Sequence, residues 1–164
     1  MKISRTSAVT LLTVIALIIS CQNNRPDRFK KKLDDRWSVR MAESEMTRNP
    51  QMWMVDFVKE KKWNYTQGLM GLAFLRLSDS TGNERYFNYV KEYADSMIDA
   101  HGSIWNYKME NYNIDQVNPG KMLFLLYDRT KDPRYNIAIE ELKAQIDSQP
   151  RTPEGGFWHK KIYP

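Results

Sequence analysis

The sequence predicts an all-α protein, an array of paired helices, and three features predict it. Apolar residues recur three and four apart along several stretches, as on helices with one buried face. Seven glycines and seven prolines in 164 residues leave those stretches largely unbroken. The pattern also repeats: Gly71, Leu75, Leu77, Asp79, Thr81, Arg85, Tyr86 and Val90 recur 49 positions on as Gly120, Phe124, Leu126, Asp128, Thr130, Arg134, Tyr135 and Ile139. A helix, a Thr-containing turn, an Arg-Tyr pair and a second helix therefore occur twice. Self-similarity at this period marks stacked helical hairpins, none of which buries its inner face alone. Such hairpins stack as an open solenoid or close into a ring, the α/α toroid. The long loops between them suit a toroid whose connections build a cleft.

Residues 1–20 stand apart. Lys2 and Arg5 precede an apolar run from Ala8 to Ile19, too short to span a bilayer comfortably but suited to a secretory signal. The run ends in Ile18-Ile19-Ser20-Cys21, which resembles a bacterial lipobox. Cys21 is the single cysteine, so an internal disulfide is excluded. The expectation is lipid on Cys21, holding the mature chain to a membrane of the cell envelope by acyl chains, either periplasm-facing or at the outer membrane. The alternative is a cleaved signal with an incidental cysteine. Residues 21–32 read as a polar tether carrying Arg25, Arg28, Lys30, Lys31 and Lys32. Without residues 1–20, basic residues fall from 25 to 23 against 20 acidic ones, a net charge of +3. That balance, with no basic stripe interleaved with aromatics, argues against nucleic acid.

Residues 33–164 read as one domain. A helix is expected from Leu33 to Thr47, stopped by Asn49-Pro50, and Gln51 to Asn64 as ordered loop. Tyr65 to Ser78 is expected to be helical, with Leu69, Leu72, Ala73 and Leu75 as its buried stripe. Thr81-Gly82-Asn83 breaks it. Glu84 to Ala100 resumes as helix, with Tyr86, Tyr89, Val90, Tyr93, Met97 and Ile98 apolar and Gly102 beyond its end.

Three loops enter the first helices of successive hairpins and should share one end of the array: Trp63 to Gly68, Asn111 to Lys121, and Pro150 to Lys160. Asp115 precedes a helix with the apolar stripe Met122, Leu123, Leu125 and Leu126. Its carboxylate could cap that helix, or grip sugar hydroxyls and orient a catalytic acid; a cap would also hold it rigid. His159 follows Phe157 and Trp158 on a Gly-Gly loop, and His101 is the only other histidine, so no metal-ligand spacing is present and no metal or cofactor is expected. A Gly-x-Ser-x-Gly elbow and a phosphate-cradling glycine loop are both missing.

Four segments together carry a family resemblance. Trp63-Asn64-Tyr65-Thr66-Gln67-Gly68, Thr81-Gly82-Asn83-Glu84-Arg85-Tyr86, Tyr112-Asn113-Ile114-Asp115-Gln116-Val117-Asn118-Pro119-Gly120-Lys121, and Pro150 through Lys160 resemble the unsaturated rhamnogalacturonyl hydrolases, glycoside hydrolase family 105. The resemblance covers about residues 33–164 and implies a six-hairpin α/α toroid with a cleft at one end. It implies removal of the unsaturated galacturonyl residue that pectin lyases leave on oligosaccharides, without a cofactor. Asp115 matches a family aspartate that contacts substrate and supports the acid. His159 and Lys160 match residues around the uronate, with Trp63 and Tyr65 as weaker candidates for the rim. The family's principal acid lies in a Trp-x-Asp-Gly element after the Ile-Tyr-Pro stretch, beyond Pro164. The expectation is thus the N-terminal portion of an incomplete ring of about five helices, dependent on a separately encoded C-terminal half. The rival expectation is a non-catalytic helical-repeat lipoprotein that binds carbohydrate or a partner protein.

Overall fold

The structure, a computed structural model, describes residues 36–163. The signal segment, Cys21, the tether 21–32 and the start of the first expected helix lie outside the described residues. Five α-helices follow: α1 (Trp37–Arg48), α2 (Tyr65–Thr81), α3 (Glu84–Met97), α4 (Gly120–Thr130) and α5 (Pro133–Ser148). Short 3-10 turns occupy Met52–Phe57, Met109–Asn111 and Ile114–Gln116. Among the described residues β-structure is limited to isolated bridges. The chain is all-α and built from helical hairpins: α2 pairs with α3, α4 with α5, α2 and α4 pack side by side, and α1 lies against α2.

The 49-residue repeat has a physical cause at the hairpin turns. Thr81 and Thr130 each end a first helix and donate their hydroxyl to the carbonyl four residues back, Leu77 and Leu126, at 2.7 Å. The same oxygens accept the N–H of Asn83 and Asp132, whose side chains then cap the second helices through Arg85 and Arg134 N–H. The Arg-Tyr pair at the start of each second helix clamps a carboxylate of the preceding one. Arg85 and Tyr86 hold Glu43 of α1, while Arg134 and Tyr135 hold Asp95 of α3, with both tyrosine hydroxyls at 2.8 Å.

The core is one apolar cluster. Tyr86, Val90, Tyr93 and Met97 of α3 meet Met122, Leu123 and Leu126 of α4 and Tyr135, Ile139 and Leu142 of α5. Full burial of one such side chain contributes roughly 1.5–3 kcal/mol.

Two expectations need correction. On α2 Leu75 is buried and Leu72 half-buried, but Leu69 and Ala73 face solvent; Gln67, Gly71, Phe74 and Ser78 share the inward face instead. This helix is apolar nearly all round, so hydrophobic spacing does not select a face. Close approach does: a Cβ on Gly71 would lie 2.7 Å from Met122 Sδ and 2.8 Å from Met52 Cε. Helix α3 stops at Met97 rather than Ala100. The Asp99 carboxylate accepts the N–H groups of His101 and Ser103, Gly102 takes φ +83°, and Ile98 pairs with Ile104. A short acidic side chain offering local acceptors turns the backbone out of the helix.

Candidate active site

The three loops do converge at one end of the array. A Cβ on Gly68, in the first turn of α2, would lie 2.6 Å from Pro119 Cα, so glycine there lets the second loop lie against the helix. The Trp63 indole N–H donates to the Gln116 carbonyl at 2.8 Å, joining the first loop to the second. Ile114 N–H donates to the His159 carbonyl at 3.1 Å, and Lys161 N–H to the Asn111 carbonyl at 2.9 Å, joining the second to the third.

Asp115 sits in the 3-10 turn Ile114–Gln116, whose start is capped by the Asn113 side chain accepting the Asp115 N–H at 3.1 Å. It does not cap α4. That helix begins at Gly120 behind Pro119, with no side-chain cap, so the capping reading falls. The Asp115 carboxylate instead meets an imidazole and an ammonium group from the third loop. His159 Nε2 lies 3.1 Å from one oxygen and Lys160 Nζ 3.0 Å from the other. Its side chain is 22% exposed, so the group is reachable but partly desolvated. Burial pushes the carboxyl pKa upward, but hydrogen bonds and charge from Lys160 and His159 outweigh burial and hold it below the usual carboxylate range. Asp115 is therefore ionised at neutral pH. It can accept from sugar hydroxyls and stabilise positive charge, but in this arrangement it does not donate a proton.

Trp63 is 2% exposed, stacked on Tyr93 with centroids 6.1 Å apart, so it forms a floor beneath the loops rather than a rim. Tyr65 stands half-exposed at the first residue of α2, one turn before Gly68, and the hydrogen bonds and ion pairs of Asp115 run to His159 and Lys160 rather than to it.

Sequence reasoning missed Gln145 and Gln149. Both are buried near the end of α5 and form a relay: Tyr107 OH donates to Gln145 Oε1, Gln145 Nε2 to Gln149 Oε1, and Gln149 Nε2 to the carbonyls of Tyr112 and Trp158. A single side-chain amide thus ties the second loop to the third beside the Asp115 cluster. The available signal was a pair of glutamines four apart continuing the buried face of Ala138 and Leu142, where buried polar groups require partners.

The hairpin array thus gathers an ionised carboxylate, a histidine and a lysine on loops at one end. The Glycosyl Hydrolase Family 88 model matches residues 37–164, and the chain belongs to that family. It is similar to a glycoside hydrolase of family 105 from C. acetobutylicum ATCC 824, at 36% identity and a TM-score of 0.70 over 78% of this chain and 34% of that one. The chain thus spans about a third of that hydrolase's length. The family and the toroid-type fold expected from the four motifs are borne out.

Proposed function

We propose that this chain carries the uronide-gripping part of a hydrolase that releases unsaturated galacturonyl residues from pectin-derived rhamnogalacturonan oligosaccharides. The observation that supports it most is the convergence of Asp115, His159 and Lys160 from two loops. In the substrate the C4–C5 double bond conjugates with the ring oxygen. Protonation at C4 leaves an oxocarbenium-like centre at C5, water adds there with loss of a proton, and the hemiketal opens to release the next sugar. Lys160 and His159 attract the uronate carboxylate; ionised Asp115 accepts from ring hydroxyls and stabilises the developing positive charge. The proton for C4 has to come from a protonated carboxyl group other than Asp115, and lipid on Cys21 holds the protein to the cell envelope.

A second reading, a non-catalytic helical-repeat lipoprotein that binds carbohydrate, is favoured by the Asp115 carboxyl itself, which when ionised offers no proton. One experiment separates the two. The full chain is given unsaturated galacturonyl-rhamnose disaccharide, alone and with the polypeptide encoded immediately downstream, and loss of the enol-ether ultraviolet absorbance is followed. Turnover in the combined sample that Asp115→Asn lowers by about 100-fold or more supports the hydrolase. Binding without turnover in either sample supports the second reading, and turnover indifferent to Asp115→Asn removes that residue from the mechanism.

A further inference from the structure

We propose that the cleft walled by Lys61, Asn64, Trp105, Asn106, Asn113 and Gln116 is a second carbohydrate subsite, taking an acidic sugar unit of a longer chain whose end lies at the Asp115 cluster. The inference rests on the uronide reading of that cluster only for its direction along the chain; the cleft argues for itself.

Its volume is about 260 Å³. Drug-sized sites run from roughly 300 to 1,000 Å³, so this one suits a single small ring. Trp105 is 51% exposed, yet its backbone is fixed. Its N–H donates to the Met97 carbonyl at 2.7 Å, and the Ile98–Ile104 bridge and the Asp99 turn lock the segment before it. An indole held outward on a rigid turn gains by burying its face against the C–H face of a sugar, with little ordering cost left to meet. Asn106 follows at φ +57°, a left-handed conformation that asparagine adopts more readily than most residues, and its carbonyl accepts from Gln116 Nε2 at 3.2 Å.

The remaining wall is polar. Side-chain amides of Asn64, Asn106 and Gln116 supply both donors and acceptors, which is what sugar hydroxyls require. Lys62 pairs with Asp56 at 3.8 Å, leaving Lys61 as the cation of that wall, against Glu60, for a uronate carboxylate. Continuity with the Asp115 cluster comes from the 3-10 turn. Asn113 and Gln116 are three apart and so share one side of it, while Asp115 occupies the neighbouring side. One strand of oligosaccharide passing over this turn would meet both.

The test follows the indole and imidazole resonances of the full chain by ¹⁵N-edited NMR, with unsaturated digalacturonate and tetragalacturonate as probes and Trp105→Phe to assign the Trp105 signal. The expected result is that tetragalacturonate shifts the Trp105 indole and binds more tightly than the disaccharide. In Trp105→Ala its affinity falls about tenfold, and its advantage over the disaccharide disappears. Of the five tryptophans, Trp37 and Trp53 lie outside both groups of residues, and their indole signals stay in place as the control for folding. If His159 moves and Trp105 does not, the subsite is overturned while the uronide reading of Asp115 survives. If Trp105 moves and His159 does not, the subsite stands and the reading of Asp115 falls. If neither moves, both are wrong. A neutral tetrasaccharide shifting Trp105 as strongly overturns the acidic specificity given to Lys61.

Discussion

At one end of the hairpins the connections are two residues long, 82–83 and 131–132, and they repeat almost atom for atom; at the other end they run 49–64, 98–119 and from 149 onward, and repeat nothing. The short turns cap themselves, and the Arg-Tyr pair beside each one grips a carboxylate of the second helix of the preceding pair, Glu43 of α1 or Asp95 of α3. Arg85–Glu43, Arg129–Glu84 and Arg134–Asp95 each join two helices there. The long loops leave an ionised carboxylate, a histidine and a lysine reachable from solvent, braced by buried amides and a buried indole. The difference teaches where to look in such a fold: repeated side chains report packing, and function lies in what departs from the repeat. Substitutions at the turn end should therefore change stability and spare binding, and those at the loop end should do the reverse.

The largest effect is expected at the turn end. Tyr135 is fully buried and donates to Asp95, so Tyr135→Ala opens a cavity and leaves Asp95 short of a donor. A loss of roughly 3–5 kcal/mol is expected in a denaturant melt, as for other aromatic-to-alanine changes in cores. In the molecules that remain folded, the His159 resonance and its response to digalacturonate should match the parent. A small loss of stability together with lost binding would erase the contrast between the ends.

That contrast also explains what could be read from the residues. The hairpins, the turns and the burial of Tyr86, Tyr93 and Tyr135 were legible because packing imposes a period on sequence. The inward face of α2 was not, since Leu69, Leu72 and Ala73 are as apolar as Phe74 and Leu75; glycine contacts with the neighbouring helix decide it. At the loop end Asp115, His159 and Lys160 could be named from residue type and family resemblance. Their meeting depends on Ile114, Asn111 and Gln149, whose backbone and amide bonds leave no periodic trace. Trp63 misled for the same reason. A tryptophan beside a loop looks like a platform for a sugar, but its single N–H found a carbonyl, and its ring then served better as floor.

Gln149→Leu should give an intermediate effect and sharpen the contrast from the other side. It leaves the Tyr112 and Trp158 carbonyls without their shared donor, at a cost of roughly 1–3 kcal/mol for buried groups. Because the loss is confined to the joint between two loops, it should appear as local opening. Amide exchange at Ile114 and Lys161, the two backbone bonds across that joint, should quicken by about tenfold, and digalacturonate affinity should fall. Core amides in α3 should be unaffected. Uniformly faster exchange throughout would mean that the joint and the core open together.

The smallest effect expected is the pH response of the Asp115 cluster. Its carboxyl is lower in the folded chain than its ordinary value of 3.8, because the bonds from Lys160 and His159 favour the charged form beyond what burial takes away. The stabilising contribution is therefore complete above 3.8 and is lost as pH falls through the lower folded value. Asp95, Asp99, Asp128 and Asp132 are depressed too, so a global acid melt would mix their losses with this one. The informative readout is local: the Ile114 and Lys161 amides should lose protection below 3.8, and Asp115→Asn should remove that step while leaving the acid response of Asp95, Asp99, Asp128 and Asp132 intact. A step that survives Asp115→Asn, or that begins well above 3.8, would show that the carboxylate does not bind the two loops together.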